Sequence, residues 1–535
     1  MGKVIRKRII DFGGGKVNDI RENVQGGFSI AKHFDILTYP KKLKPLRGMT
    51  TESTTNSKIG NIIVSSNSRM YGVGTDPNNP NNGKLWVRSD NNTTASGSSY
   101  GASSTWRSLT TDQLSGAVLR SGDEQFLVEY VDAGNVRTMF WASTNLLIAS
   151  DPLGASAAST QALTFSTISQ GFVHPKDKIL YFGYQTSSAT YIGLINANAT
   201  PFATVNFTAL QLPSQYRVYS ITNWGNYLAI ACTSTFSSAG LNTSVVFLWD
   251  RDTSNTTVNE VINWGAGSLK VLNNLNGTLI GVNTLSAAST GSVQDYDSVQ
   301  IKGWSGGDSA TLIDEVSANN AVAAGVPSCT INPNVNFIYQ NRLYYSVNIT
   351  INNSTTGLYG LWVVGKNKQG QYVTNIERMA TNGGTETGVL AAAISGDFVA
   401  MAHTAIGTLT ASTNGQTSSS TFAASSVYES LIEDLKDEEL GNGITKKLIG
   451  VTVMFEPIPT GGSVVLKYKR DAETSWTTIF TYTTANGMRH DAINIESTGA
   501  NLGTYKEVQF QITATGGATP NGLHFDNEVI SDGLY

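Results

Sequence analysis

The side chains that most often carry catalysis are scattered along this chain. Its five histidines show no HExxH or HxxxH spacing and no Ser/His/Asp signature of a hydrolase. Its two cysteines lie far apart and form neither a CxxC pair nor a Cys/His cluster. We therefore expect structural histidines, two buried thiols, no metal site and no cofactor. The residues concerned are His33, His174, His403, His490, His524, Cys232 and Cys329.

Two loops begin like ligand-binding motifs and then depart from them. Residues 250–261 have acids at the first and third positions of an EF-hand loop, but Asn255 stands where that loop needs glycine and Val261 where it needs glutamate. The stretch DFGGGK at 11–16 lacks the GxxxxGK[ST] spacing of a phosphate-binding loop. We interpret the first as a turn and the second as a flexible bend.

A third stretch, KRDAETSWTTI at 469–479, resembles the Asp-box hairpin of sialidase-type propellers. Asp471 and Trp476 keep the spacing of that motif, but Glu473 replaces its glycine. The box stabilises a turn and lies away from the catalytic residues of those enzymes. The stretch therefore predicts a turn and no sialidase activity.

Positive charge is concentrated at the start of the chain. Residues 1–48 contain eleven Lys and Arg against four Asp and Glu, whereas the whole chain has a net charge of -4. Such a segment can contact nucleic acid through phosphates, or it can dock on an acidic protein surface. No aromatic residues are interleaved with the charges, so docking to a neighbouring subunit is the preferred hypothesis. The proposed docking residues are Lys3, Arg6, Lys7, Arg8, Lys41, Lys42, Lys44 and Arg47.

A polar turn followed by an apolar strand recurs through the middle of the chain, as in QNRLYYSVNI at 340–349. Successive copies lie 48 to 64 residues apart, and each has further apolar strands on both sides. A sheet of three or four such strands cannot bury both faces until neighbours flank it, as the blades of a β-propeller do. We predict an all-β protein with a seven-bladed β-propeller over residues 55–425. The strand anchors are Met70, Phe126, Leu180, Leu228, Leu279, Leu343 and Phe398.

A tryptophan recurs in the strand that follows the anchor strand in five copies. Sugars stack on exposed aromatic rings, whereas aromatic rings in a propeller core pack sheet against sheet. Recurrence at one position of the repeat favours the core. The residues are Trp86, Trp141, Trp249, Trp304 and Trp362.

The pattern changes after residue 425. In KEVQFQITA, Val508, Phe510 and Ile512 alternate with polar residues, as in a strand with one buried face. Similar strands precede it, so we predict a C-terminal β-sandwich, jelly-roll-like, over residues 426–535. Residues 1–54 contain three consecutive glycines, two prolines and no anchor, and are predicted to form an extended basic N-terminal arm.

The stretch YESLIEDLKDEEL at 428–440 leaves two structures open. Its apolar residues suit one stripe of a helix, but its first half also suits a strand that enters the sandwich. Its acids could bind a cation, although a run of acids is typical of a solvated face. These acids are Glu433, Asp434, Asp437, Glu438 and Glu439.

Composition narrows the class of protein further. Only 14% of residues are charged, which favours short strands joined by polar turns over long charged helices. The opening MGKVIRKRII lacks the apolar stretch of a secretion signal, and no window approaches the roughly 18 apolar residues of a membrane span. We expect no membrane span, no export by the usual route and no enzymatic activity.

Two stretches resemble structural proteins encoded in the tail-gene regions of bacteriophages. The first 50 and last 110 residues carry the resemblance, which covers IIDFGGGKVNDIRENVQGGFSIAKHFDI near the start and, near the end, KKLIGVTVMFEPIPTGGSVVLKYKRDAETSWTTI with EVQFQITATGG. It implies a virion component similar to the propeller-containing nozzle or hub proteins of phage tails. It carries over no catalytic residue.

The resemblance also implies where the protein acts and with what. We expect synthesis in the host cytoplasm and incorporation into the virion tail, as a homo-oligomeric ring around the DNA conduit. Its partners would be other tail proteins, such as an adaptor, hub or fibre, with non-specific proximity to DNA in the lumen. Two alternatives stay open: a carbohydrate- or receptor-binding propeller like a tail-fibre adhesin and, less favoured, a propeller glycoside hydrolase with paired carboxylates at its central funnel.

Overall fold

The fold is all-β, as predicted. The structure is a computed structural model. No helix occurs among its described residues. Accordingly, no described helix is long and apolar enough to cross a bilayer. The structure describes residues 4–17, 25–53, 59–75, 83–88, 106–108, 126–143, 145–152, 158–196, 201–234, 242–254, 257–285, 298–317, 327–351, 354–355, 359–379, 381–382, 385–386, 388–396, 398–403, 408–412, 422–423, 425–434, 444–471, 473–483, 490–494 and 503–530.

The first half of the chain forms the following strands: β1 (Val4–Ile9), β2 (Gly15–Lys16), β3 (Gly27–Lys32), β4 (Met49–Ser53), β5 (Ile59–Val64), β6 (Met70–Thr75), β7 (Gly83–Arg88), β8 (Trp106–Ser108), β9 (Leu127–Val131), β10 (Arg137–Ala142), β11 (Leu146–Ser150), β12 (Ser159–Ala162), β13 (Thr167–Ile168), β14 (Phe172–Val173), β15 (Leu180–Gln185), β16 (Thr190–Asn196), β17 (Thr204–Leu212), β18 (Tyr216–Trp224), β19 (Tyr227–Ser234), β20 (Thr243–Trp249) and β21 (Glu260–Ala266).

The second half forms these strands: β22 (Ser268–Leu275), β23 (Thr278–Leu285), β24 (Ser298–Trp304), β25 (Thr311–Ser317), β26 (Pro327–Thr330), β27 (Asn336–Tyr339), β28 (Arg342–Ile351), β29 (Ser354–Thr355), β30 (Gly360–Lys366), β31 (Tyr372–Met379), β32 (Thr381–Asn382), β33 (Thr385–Glu386), β34 (Val389–Ser395), β35 (Phe398–His403), β36 (Thr408–Ser412), β37 (Ser426–Ser430), β38 (Lys446–Phe455), β39 (Ser463–Arg470), β40 (Thr477–Thr483), β41 (His490–Asn494), β42 (Thr504–Tyr505), β43 (Val508–Thr515) and β44 (Pro520–Val529).

The chain divides into two compact units. The propeller unit comprises Thr50–Trp362 and Ala380–Ala411. The terminal unit comprises Met1–Met49, Val363–Met379 and Ser412–Tyr535. The ends of the chain therefore belong to one unit, and most of the intervening sequence belongs to the other.

The sheets of the propeller unit follow one another along the chain. Neighbouring strands in them are consecutive or nearly so, and their described pairings are antiparallel, which is the up-and-down sheet of a β-propeller. The final sheet is completed by β4, which comes from the start of the unit. The strand orders are β5-β6-β7-β8, β9-β10-β11-β12, β13-β15-β16-β17, β18-β19-β20-β21, β22-β23-β24-β25, β26-β28-β30-β31 and β34-β35-β36-β4. The residues of β31 are assigned to the terminal unit.

Tight turns explain the recurring sequence pattern. Asn276 and Gly277 have φ values of 56° and 83°, and Gln340 and Asn341 have φ values of 46° and 62°. Positive φ at both central residues of a two-residue loop matches the right-handed twist of the strands it joins. Two of the anchors predicted from the sequence, Leu279 and Leu343, lie in the strands that follow these turns, β23 and β28.

Apolar residues on successive sheets share cores. Val73 and Leu85 of the first sheet pack with Leu127 and Trp141 of the second. Cores of the same kind join later neighbours in the chain. The five recurrent tryptophans are at most 3% exposed, so the core position favoured by the sequence is confirmed: Trp86, Trp141, Trp249, Trp304 and Trp362. Both cysteines are buried thiols, as expected.

The terminal unit contains two sheets that surround one core. Their strand orders are β1-β44-β38-β41, with β42 beside β38, and β2-β3-β37-β43-β39-β40. Val451 and Phe525 of the first sheet share the core with Leu466, Phe510 and Ile512 of the second. Val508, Phe510 and Ile512 are buried, as the alternation predicted. The prediction that only one face of this strand is buried is wrong, because Gln509 and Gln511 on its other face are buried as well, and Gln509 Nε2 donates to Ser430 O at 2.7 Å.

The start of the chain is built into this unit, which differs from the extended arm that we predicted. β1 pairs antiparallel with β44 from Val4 to Ile9, and β3 pairs with β37. Phe12, Phe28 and Phe34 are fully buried in the shared core. These apolar side chains give the segment a reason to fold onto the C-terminal strands.

Two ambiguous stretches also take defined structures. Of the stretch at 428–440, the first residues lie in β37, so the strand alternative is confirmed for that part. The glycines at 13–15 form a tight contact instead of the predicted flexible bend: the Gly14 amide donates to Gly26 O at 2.9 Å, and a Cβ on Gly14 would lie 2.4 Å from Gln25 O. Close approach of two backbones is the reason for glycine there.

Candidate functional site

The predicted docking residues on β1 alternate between two environments. Arg6 and Arg8 lie on the exposed side of this strand, and Arg6 Nε is 3.6 Å from Asp526 Oδ1. Lys7 points the other way and forms an ion pair with Glu433. Burial raises the pKa of Glu433, although the Lys7 ammonium acts in the opposite direction. Lys3 lies outside the described residues.

The other predicted docking residues lie on the segment before β4. Lys42 Nζ is 2.8 Å from Glu456 Oε1, and Lys44 Nζ donates to the Tyr39 hydroxyl at 3.1 Å. Lys41 is exposed. The main-chain oxygen of Arg47 accepts a hydrogen bond of 2.7 Å from Arg378 Nη1. Lys7 and Lys42 thus have close acidic partners within their own unit. The side chains of Arg6, Arg8 and Lys41 are exposed, although Arg6 also lies 3.6 Å from Asp526.

Three histidines have depressed pKa values: His174 and His403, which are buried, and His33, which is partly buried. Burial lowers the pKa of His33 to about 3, and the charges of Arg378 and Lys32 act in the same direction. Burial lowers the pKa of His403 to about 4, and its Nε2 is 2.8 Å from Thr410 Oγ1. Groups that cannot be protonated near neutral pH fit the structural role that we expected for them.

His174 belongs to an ionisable cluster in the propeller unit. Asp177 accepts hydrogen bonds from Arg251 and from the Tyr181 hydroxyl, the latter at 3.1 Å, and Arg251 Nη1 is 3.2 Å from His174 Nδ1. Burial, followed by the Arg251 charge, lowers the pKa of His174. Arg251 also donates to Asn226 O at 2.9 Å. The cluster joins two successive sheets. Its ionisable side chains are bonded to one another, as in a structural ion pair.

The aspartates of two loops accept hydrogen bonds from main-chain amides. Asp252 Oδ1 accepts from the Ser254 amide at 2.9 Å, and Asp471 Oδ1 accepts from the amides of Lys506 and Glu507 at 2.8 and 3.0 Å. The Asp252 contact lies within a turn, as interpreted from the sequence. Asp471 also lies in a turn, closed by the Glu473 amide, which donates to Arg470 O at 2.8 Å, but its carboxylate binds the segment before β43. No group of three or more metal-ligating side chains occurs among the described residues. Asp437, Glu438 and Glu439 of the acidic run lie outside them.

A hydrogen-bonded network of polar side chains lies among the first strands of the propeller sheets. Asn336 Nδ2 donates to Ser220 Oγ at 2.8 Å and to Leu272 O at 3.3 Å, and its Oδ1 accepts from Asn273 Nδ2 at 3.2 Å. These bonds join β18, β22 and β27. The first strands of a propeller surround its axis, so we call this set, with Gln170 and Asn334, the axial amide network.

Gln170 and Asn334 carry the network across to the first sheet. Gln170 Nε2 donates to Pro333 O at 3.1 Å and lies 3.4 Å from Asn334 Oδ1. Asn334 Nδ2 donates to Gly60 O on β5 at 2.8 Å. Side chains from sheets distant in sequence therefore bind one another at the axis.

A cavity of about 250 Å³ lies beside this network. Gln170, Asn334 and Asn336 line its polar side, and Phe337 and Ile338 lie on its apolar side. No described lining residue is ionisable. We call this space the axial cavity, and it was not predicted from the sequence. The available signal was Asn336 at the start of the apolar strand β27, whereas Gln170 and Asn334 lie outside the strands.

Comparisons with known proteins support no assignment of function. No protein-family model matches the chain, and no curated protein does. A mutant puromycin hydrolase complexed with PGG is 11% identical with a TM-score of 0.41, covering 64% of this chain and 50% of its own. The β-propeller domain of the Trilobed protease from Pyrococcus furiosus is 8% identical with a TM-score of 0.38, covering 67% and 94%. The Myceliophteria thermophila Cps50 (Swd1) β-propeller domain is 10% identical with a TM-score of 0.38, covering 68% and 99%.

Proposed function

We propose that the protein is a structural component of a bacteriophage tail, made in the host cytoplasm and assembled in symmetric copies around a DNA conduit. The observation that carries this proposal is that both ends of the chain fold into the terminal unit. The two stretches that resemble phage tail proteins lie about 400 residues apart in sequence. Both contribute to one core, in which Phe12 and Phe28 pack with Val451 and Phe510. A resemblance at both ends of the chain is thus a resemblance to one folded unit.

The proposal includes a finer architecture. The sheets of the propeller unit are taken as seven blades, closed by the outer strand β4. The shared core of the first and last sheets supports closure, since Ile62 and Trp86 pack with Ala391 and Ala402. The two sheets around the terminal core are taken as a β-sandwich with one buried face each.

The proposed role is not enzymatic. A glycoside hydrolase needs two carboxylates facing one space, and no carboxylate is among the described residues that line the axial cavity. The ionisable groups of the His174 cluster are paired with one another in hydrogen bonds. These arrangements support a scaffold, whose function lies in contacts between copies.

The DNA conduit would lie between copies and not along the axis of one propeller. The axial amide network and the apolar side chains beside it occupy that axis. A ring of several copies encloses a wider passage. Arg6, Arg8 and Lys41, which present charge to solvent, are the proposed contact residues toward the next copy or toward an adaptor, hub or fibre protein.

Mass spectrometry of purified virions, with the copy number measured against the major capsid protein, tests this role. We expect peptides of the chain at a fixed copy number per particle after density-gradient purification. Detection only in the unassembled fraction of the lysate would rule the role out. A protein removed from the particle by salt washing would be an adhering contaminant, which would also contradict the proposal.

A carbohydrate- or receptor-binding propeller is the second candidate function. The recurrent tryptophans do not support it, because all five are buried. The observation that favours it is the axial cavity, which combines amide side chains with an aromatic wall.

A further inference from the structure

The lining of the axial cavity selects for an uncharged ligand. The cavity has a volume of about 250 Å³, below the range of roughly 300–1,000 Å³ that is usual for drug-sized ligands. A charged molecule would lose its hydration there without gaining an opposite charge, because no described lining residue is ionisable. The space therefore suits one small neutral molecule.

The polar side of the cavity offers hydrogen-bond acceptors. Gln170 Nε2 is held by Pro333 O at 3.1 Å, while Gln170 Oε1 has no hydrogen bond to any described residue. Asn334 Oδ1 lies beside this amide and accepts from Gln170 Nε2 at 3.4 Å. Asn336 uses its amide hydrogens on Ser220 and Leu272. A ligand that fits must therefore bring donors, and hydroxyl groups are neutral donors.

The opposite side of the cavity is apolar and fixed. The Phe337 ring is stacked on Tyr344, with centroids 5.2 Å apart and planes within 4°. Ile338 and Ala392 continue this wall. The C–H face of a sugar ring packs well on such a surface while its hydroxyls face the amides.

The geometry points to the axial cavity as a binding site for one neutral, hydroxyl-rich molecule of monosaccharide size. Gln170 Oε1 accepts a hydrogen bond from one of its hydroxyls, and Phe337 supports its apolar face. The site goes beyond the proposed virion role and does not depend on it. In a virion component it would provide contact with a glycan end or a polyol.

Saturation-transfer NMR on the purified full-length chain tests the site. The probes are glucose, galactose, N-acetylglucosamine and glycerol, with glucuronate and glucosamine as charged comparisons. We expect transfer to at least one neutral probe, and a dissociation constant raised about tenfold in Gln170→Leu, because one hydrogen bond to a partly buried group is lost. The matched control is Gln185→Leu, since Gln185 is bonded to Ser214 O outside the cavity.

Each outcome decides for or against the site. Absence of transfer to every neutral probe overturns it, as does unchanged affinity in Gln170→Leu or tighter binding of a charged probe. If Gln170→Leu unfolds, Gln170→Asn is tested instead. This variant keeps the amide group but moves it away from the ligand by one carbon, so it must also weaken binding. Incorporation into virions is measured separately, so failure of the cavity proposal leaves the structural role standing and vice versa.

Discussion

Glu52 and Arg88 form a buried bidentate ion pair that joins the strand completing the last propeller sheet to the first sheet. Arg88 Nη2 lies 2.7 Å from Glu52 Oε1, and Arg88 Nε lies 3.1 Å from Oε2. Trp106 Nε1 donates to the same carboxylate at 3.0 Å, and the guanidinium lies 3.7 Å from the centre of the Phe398 ring. Strand β4 is therefore tied to both of the sheets that it brings together.

Removing the negative charge of this pair should destabilise the propeller unit strongly. Glu52→Gln leaves the Arg88 charge buried without an opposite charge, which typically costs about 3–5 kcal/mol. We expect a loss of that size in the free energy of unfolding, measured by urea titration. Arg137→Gln is the matched control, because its pair with Glu129 spans 3.7 Å and its side chain is 36% exposed, so it should cost about 1 kcal/mol or less. Equal losses in the two variants would contradict the role of the pair.

Acid should destabilise the fold through two histidines. His33 and His403 have folded pKa values of about 3 and about 4, below the ordinary value of 6.5. The unfolded chain therefore binds more protons, so this stability is complete above pH 6.5 and is lost as pH falls toward the folded pKa values. The loss should reach roughly 2–3 kcal/mol per histidine by pH 4.

Unfolding titrations between pH 7.5 and 4 measure this dependence. His403→Gln should flatten the profile of the propeller unit, and His33→Asn should flatten that of the terminal unit. Asparagine is chosen because it tolerates the positive φ of 59° at residue 33. A wild-type profile that is level down to pH 4 would show that neither imidazole is kept neutral by the fold.

Gly14 should tolerate no side chain. A Cβ there would lie 2.4 Å from Gln25 O and from the carbonyl carbon of Gly26. Because backbone atoms cannot yield as a side chain can, Gly14→Ala should cost on the order of 3 kcal/mol in the terminal unit. Gly370→Ala is the control: φ is 81° but nothing lies within 4 Å, so only about 1 kcal/mol is expected. Thermal melts that rank the two variants in the opposite order would refute the close packing.

Reversing the exposed charge of β1 should impair assembly without unfolding the chain. Arg6 and Arg8 lie on the exposed side of the strand, so Arg6→Glu/Arg8→Glu should leave the melting temperature nearly unchanged. We expect at least a tenfold loss of ring assembly by sedimentation velocity. Lys366→Glu/Lys368→Glu changes the net charge equally at two exposed positions of the terminal unit. Assembly that is lost equally in both variants would indicate a charge effect unrelated to β1.

Much of the propeller could be predicted from the sequence because its determinants are local. A turn with positive φ, such as Asn276–Gly277, and the apolar strand after it are encoded within about ten residues. The recurrence of that signal predicted the sheets, and the position of Trp249 in it predicted burial. Alternation around Phe510 predicted the apolar side chains of β43 that enter the core, but not the burial of Gln509 and Gln511 between them.

The rest depends on contacts between residues distant in sequence. Nothing near Phe12 indicates that its partner is Tyr428, whose ring lies 5.0 Å away, so the start of the chain was predicted as an arm. Glycine occurs both in flexible bends and in tight backbone contacts, so the residue type at position 14 does not show which of the two Gly14 forms. The axial amide network joins Gln170 to Asn334, and no spacing rule connects two residues 164 positions apart.

Immunogold electron microscopy of purified phage particles, with antibodies raised against residues 446–470, tests the central proposal most directly. We expect gold at the tail of each particle, in several copies arranged about the tail axis, and no labelling of particles that lack the gene product. Labelling confined to soluble protein in the lysate, with bare particles, would contradict it.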